Sequence, residues 1–136
     1  MIVLRGPDGA KKREILTLLS DQDVGEEGLH SLTLYVELEG RVAATATCFR
    51  VPSQILMVDF IGVGESFRPH APALLRALLA EARRIGEEFG RRIIYLTSPD
   101  PDLLTLVGGD VWKGETGQSL FGGRDGFSTD AERGVD

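Results

Sequence analysis

The chain has 136 residues, 42% hydrophobic and 26% charged, with a formal net charge of −6, which fits one soluble globular domain around one core and excludes a general nucleic-acid binder, since that needs clustered Lys and Arg. Cys48 is the one cysteine, which excludes an intrachain disulfide and a thiolate zinc cluster. The N-terminus lacks a signal-peptide core and no apolar run approaches a bilayer span, so a soluble protein of a reducing, cytoplasmic compartment with no membrane partner is expected.

Met1–Arg5 reads as a first strand. Asp8 after Pro7 is placed to cap a helix over 10–19, with Ile15, Leu18 and Leu19 on one face. Residues 20–30 are polar, carry two glycines and read as a loop. Leu32, Leu34, Val36 and Leu38 then alternate with Thr33, Tyr35, Glu37 and Glu39, which predicts a strand with one wet face. The turn at Gly40 leads into a second strand, 42–51, and a turn at 52–54 into a third, Ile55–Val63. That last run is apolar on both faces except at Asp59, as in a central covered strand.

A proline-marked turn over 64–72 is followed by an amphipathic helix from about Ala73 to Phe89. Its stripe is Leu75, Leu78, Leu79, Ala82, Ile85 and Phe89, and Gly90 ends it. Residues 93–97 form a buried strand, so the strand–helix–strand unit should be a parallel crossover. A short helix after Asp100-Pro101 and a hairpin over 111–121 complete a domain of residues 1–121. The glycine-rich tail 122–136 should be disordered alone and ordered by a partner.

This order of elements resembles the GCN5-related N-acetyltransferase (GNAT) superfamily. The resemblance rests on the hairpin Tyr35–Thr45, on the Leu-rich helix after Val63, and on Ile94-Tyr-Leu-Thr97 with the later Gly109-Asp-Val-Trp112. It implies an α/β (α+β) domain, a mixed, mainly antiparallel sheet flanked by helices. It also implies an acyl thioester lying between the fourth and fifth strands, near residues 61–63 and 95–97.

The family's turn after the fourth strand reads Arg/Gln-x-x-Gly-x-Gly/Ala, with glycines that let backbone N–H groups reach the coenzyme A diphosphate. The counterpart here is Arg68-Pro-His-Ala71-Pro-Ala73. Alanine stands for the first glycine, and two prolines each remove a donor. The family's acid, a Tyr in the helix after the fifth strand, has no counterpart: Thr105 or Leu104 falls there. Residues 20–30 are also short for the second helix that walls the family's acceptor groove.

These departures predict a non-catalytic, binding or assembly component with no cofactor, of a kind found in phage particles. Its contacts would be to a protein partner or a second copy through the hairpin 111–121 and the tail. The alternative is an N-acyltransferase using acetyl-CoA or another acyl-CoA. In that case Asp59 is the base towards an acceptor amine, and Val63, Arg68, Ala71, Ala73 and Tyr95 hold the coenzyme. Asp59 otherwise reads as a carboxylate paired with an Arg or a backbone donor, Arg68 as a solvated helix-start residue, and His30 and His70 as ordinary loop histidines. Cys48 reads as a small buried hydrophobe. Thr33, Tyr35, Thr45 and Thr47 make a hydroxyl-rich sheet face, either a wet outer surface or one side of a groove. Trp112 and Phe121 read as core residues or as anchors for another chain. No metal-ligand spacing occurs.

Overall fold

A computed structural model describes residues 1–52, 54–98 and 102, and the backbone of 111–113 and 119–122. The calls on the helix after Asp100, on the positions 104 and 105, on the side chains of Trp112 and Phe121 and on the tail beyond Gly122 lie outside the described residues.

The strands are β1 (Val3–Arg5), β2 (Thr33–Leu38), β3 (Arg41–Arg50), β4 (Ile55–Val63), β5 (Ile93–Leu96), β6 (Val111–Lys113) and β7 (Ser119–Gly122). They form one sheet in the order β1-β2-β3-β4-β5-β7-β6. Only β4 and β5 pair in parallel among the described strands. The sheet is therefore mixed and mainly antiparallel, and the expected hairpin of β6 and β7 extends it past β5.

Helix α1 (Gly9–Leu18) starts where Asp8 accepts a hydrogen bond from the Lys11 amide at 2.9 Å. This side-chain cap contributes about 1 kcal/mol. Its buried Ile15, with Leu19 just beyond, packs on Tyr35 and Val42 of the sheet. The loop that follows holds one turn of 3-10 helix, Glu26–Gly28.

Helix α2 (Ala71–Glu88) covers the other face and runs two residues further towards the N-terminus than the sequence predicts. The proline-marked turn is itself helical: a 3-10 segment, Glu65–His70, leads straight into α2. Pro72 fits because the first turn of a helix needs no amide from it. Leu74, Leu75, Leu78, Leu79, Ala82 and Ile85 are buried against Leu34, Val36, Ala44, Ala46, Cys48, Leu56 and Val58. Phe89 departs from the predicted stripe. It is 40% exposed, with the Arg50 guanidinium stacked 4.4 Å from its ring centre, because Gly90 (φ +66°) turns the chain away from the core there.

Arg5 of the edge strand β1 bonds Glu81 at 2.7 Å and Glu88 at 2.7 Å, tying the sheet edge to α2. Arg91, next to Arg92 in what reads as a solvated pair, reaches back to the carbonyls of Val51 and Ile55.

The predicted wet face of β2 is dry in its first half, while Glu37 is half-buried and Glu39 exposed. Thr33 is fully buried and Tyr35 is 8% exposed. Alternation along a strand fixes which residues share a face, not what covers it. Here α1 and the loop after it cover the Thr33–Tyr35 face.

Candidate functional site

The site begins with a break in β4. Phe60 adopts φ +52°, a left-handed conformation that costs a non-glycine residue about 1–2 kcal/mol. The register against β3 slips at the same place, from Thr47↔Asp59 to Thr45↔Gly62. This is a β-bulge, a device that re-aims a strand next to a site. Asp59 sustains it, since its Oδ1 accepts the Phe60 amide at 2.8 Å. Asp59 is thus bonded to a backbone donor.

Past the bulge, β4 has β3 on one side only. Its pairing with β5 ends at Val58↔Leu96, closed by the Thr97 amide on the Val58 carbonyl at 2.9 Å. The Gly64 amide donates to Ala43 of β3 at 2.8 Å and Gly62 pairs with Thr45. By alternation, the backbone groups of Ile61 and Val63 point the other way, into the fork where β5 has ended. The Ile61 carbonyl confirms this direction, because it is taken by the Gln22 side-chain amide at 2.9 Å. No sheet partner meets the amides of Ile61 and Val63 among the described residues.

Two polar residues stand at the end of the β4–β5 pairing. The parallel register puts Met57 beside Tyr95 and Val58 beside Leu96, and its continuation puts Asp59 beside Thr97 on the face away from α2. The Thr97 hydroxyl is buried and has no hydrogen-bond partner among the described residues. An orphaned buried hydroxyl costs about 1–3 kcal/mol, which singles it out as a polar group to test for a ligand.

The other candidates fall in three places. Tyr95 lies one step before the fork, and burial pushes its phenol up, so it stays protonated at neutral pH. Val63 offers the fork its backbone alone, because its side chain packs in the core under α2. Arg68, Ala71 and Ala73 lie on the 3-10 segment and the first turn of α2. Ala71 is buried in the core, while Arg68 and Ala73 are exposed.

That turn is poor in donors. Pro69 and Pro72 have no N–H, the Ala71 amide bonds the Arg68 carbonyl, and the Phe67 amide bonds the Gly64 carbonyl at 2.8 Å. Phe67, 5% exposed and under the Arg41 guanidinium at 4.8 Å, pins the segment to the core.

The remaining groups are structural. Burial pushes the Cys48 thiol up to about 12, which leaves no thiolate nucleophile. His30 accepts the Leu32 amide on Nδ1 at 3.1 Å and stacks edge-on against Phe49, which in turn meets Phe60. His70 is exposed. Among the described residues there is no group of His, Cys, Asp and Glu able to hold a metal, and no helix long and apolar enough to cross a membrane.

Known structures share this architecture. No family model matches the chain, and no curated protein does at a significant level. The GNAT family N-acetyltransferase YhbS of Escherichia coli, solved with CoA, is 20% identical with a TM-score of 0.65, over 98% of this chain and 85% of that one. Rv2747 of Mycobacterium tuberculosis, also solved with CoA, is 11% identical with a TM-score of 0.67, over 85% and 75%. N-acetylglutamate synthase of Neisseria gonorrhoeae, solved with coenzyme A and L-arginine, is 12% identical with a TM-score of 0.71. The match spans 90% of this chain but only 33% of that one. The chain has the GNAT N-acetyltransferase fold.

Proposed function

We propose that the protein binds an acyl-pantetheine thioester in the β4–β5 fork and transfers the acyl group to an amine. The observation that carries this is the fork itself. Among the described residues, a strand edge whose Ile61 and Val63 amides meet no sheet partner lies near the carboxylate of Asp59 and the unpartnered hydroxyl of Thr97. Pantetheine is a chain with two amides, and such a chain adds to an open strand edge as another strand would. That neighbours of the same fold were solved with CoA supports this choice of ligand.

The residues fit the thioester end of the ligand better than its diphosphate end, where the turn offers few amides. The bound thioester would supply an activated acyl carbonyl. The chain's own groups would do the rest. The Ile61 and Val63 amides orient the arm, and the Thr97 hydroxyl donates to an oxygen in the fork. Asp59 keeps Oδ1 on the Phe60 amide and uses Oδ2 to take the proton that an attacking amine gives up as the C–N bond forms and the C–S bond breaks, and the departing thiolate leaves as the thiol with a proton from water. Of the two functions the sequence suggests, the fork favours the transferase over the cofactor-free assembly component.

The test is thermal unfolding with millimolar acetyl-CoA and with S-acetyl-4′-phosphopantetheine, followed by thiol release in the presence of a panel of amines. A ligand at about 100 times its dissociation constant adds about 2.7 kcal/mol, a shift of several degrees for a domain of this size. No shift with either thioester would overturn the proposal.

A further inference from the structure

We infer that Gln22, in the loop after α1, is a positioning residue for the proposed transfer: it restrains the two residues of β4 that lie between the sheet registers, and so holds the Asp59 carboxylate and the Ile61 amide in a fixed relation. This deepens the proposed function and rests on it. The register to β3 passes from Thr47↔Asp59 to Thr45↔Gly62, and the register to β5 ends at Val58↔Leu96. Phe60 and Ile61 fall between these limits, with no counterpart in either register. The proposed base immediately precedes them, and the peptide that joins them carries the Ile61 amide. Their backbone angles therefore set where the base stands relative to that donor.

Side chains take over here from the ladder. The Asp59 Oδ1 accepts the Phe60 amide at 2.8 Å, which closes the bulge on itself. The Gln22 side-chain amide donates to the Ile61 carbonyl at 2.9 Å, which ties the bulge to the loop. The same loop packs on the Phe60 ring: Val24 and Phe60 lie against one cluster with Leu19 and Leu29, and a Cβ at Gly28 would come within 3.2 Å of that ring. Ring packing leaves a peptide plane free to tilt, whereas a directional bond to its carbonyl resists the tilt. The restraint matters because Phe60 sits at φ +52°, a conformation that persists only where its surroundings impose it. Without the Gln22 bond, the Phe60–Ile61 segment relaxes and Asp59 swings with it. Val63 is held separately, since Gly62 pairs with Thr45 and the Gly64 amide bonds Ala43. Misplacement of the base thus costs rate and leaves most of the thioester contact in place.

The variants Gln22→Met and Gln22→Glu, in the intact chain, test this. Methionine keeps the length and loses the donor, and glutamate keeps the shape and turns an acceptor oxygen on the carbonyl. For both, kcat of acyl transfer from acetyl-CoA to the best amine of the panel should fall about tenfold, with calorimetric affinity for acetyl-CoA within about threefold of the unaltered chain. Hydrogen exchange at the Phe60 amide should accelerate about tenfold or more while exchange at Gly64 stays unchanged, a local signature that general destabilisation does not give. An unchanged kcat in either variant, an unchanged Phe60 exchange rate, or a loss of affinity as large as the loss of kcat would overturn the inference and leave the proposed function standing. Absence of acetyl-CoA binding or of transfer by the unaltered chain would remove both.

Discussion

The two faces of the sheet both hold buried side chains and are differently made. Under α2 lie Leu34, Val36, Ala44, Ala46, Cys48, Leu56, Val58, Ile94 and Leu96, with no polar side chain in the cluster. On the opposite face Thr33, Thr45 and Thr47 are each fully buried. Thr45 donates to the Leu34 carbonyl at 2.8 Å, Thr33 and Thr47 bond each other at 3.1 Å, and Thr33 also accepts the His30 amide at 2.9 Å. These three threonine hydroxyls are satisfied, whereas that of Thr97 has no partner among the described residues. Polarity on β2 and β3 therefore maintains the structure, whereas the Thr97 hydroxyl at the end of β5 meets no partner among the described residues. Under the proposed function that difference separates a structural row from a binding group.

The largest effect that separates them comes from the apolar face. Leu78 is 2% exposed inside the α2 cluster, and Leu78→Ala should cost about 3 kcal/mol in lost transfer energy and cavity formation. Urea unfolding measures this. Thioester affinity per folded molecule should stay unchanged, and a loss there would blur the division between the faces.

Next comes a matched pair on the polar face. Thr47→Val removes the Thr33 hydroxyl's partner inside the core and should cost about 1–3 kcal/mol. Thr97→Val has the same shape change but removes a group with no partner, so stability should hold or rise slightly in the absence of ligand. Its thioester affinity should fall about tenfold, the equivalent of one lost hydrogen bond. Equal destabilisation by the two substitutions would mean that Thr97 is structural after all.

Asp59 sharpens the comparison further, because the proposed function gives it both jobs. Asp59→Asn keeps an oxygen for the Phe60 amide, so unfolding should shift by no more than about 0.5 kcal/mol. It removes the proton acceptor, so acyl transfer should fall by about 100-fold or more. Asp59→Ala should add a loss of about 1 kcal/mol from the uncapped bulge. Full activity in Asp59→Asn would confine Asp59 to the bulge.

Much of the framework is legible in the sequence because its causes are local. The limits of β4 follow from its apolar run, and the β2–β3 hairpin from the Glu39-Gly40 pair, whose φ values are +55° and +75°. Asp8 as a cap follows from its place after Pro7. The fork is less legible. Strict alternation over 55–63 puts Asp59 on the same face as Ile61 and Val63. The bulge at Phe60 inserts one residue, sending Ile61 and Val63 into the core and leaving Asp59 opposite. Gly62 is the faint signal, since a glycine inside a strand marks a bulge or a close approach. A side chain there would meet Leu18 and Leu19 of the α1 end at 2.6 and 2.7 Å. Gln22 and Thr97 gain their meaning only from where the pairing with β5 stops, which no local pattern encodes. The 3-10 segment at 65–70 looks like a turn because its prolines usually break helices, but they fall where amides are dispensable.

The smallest effect concerns His30, which closes the polar face against Phe49. Burial, then the nearby Lys12 charge, hold its imidazole below the ordinary histidine range. Its Nδ1 accepts the Leu32 amide, so the neutral ring is the bonded form, and a proton on Nδ1 would break that contact. With the folded value depressed, the unfolded chain takes up the proton first as pH falls. The ring's contribution is thus complete above about pH 6.5 and is lost as pH drops through the folded value. Solvent screening at this partly exposed ring keeps the loss below about 1 kcal/mol. Urea unfolding between pH 7.5 and 5 should show it, and His30→Gln should flatten that part of the profile. An unchanged slope in the variant would take that pH dependence away from His30, and a depressed carboxylate such as Glu14 does not supply it. The Val42 amide on its oxygen, ahead of Lys11, holds that carboxyl low, so its own contribution is lost only at more acidic pH.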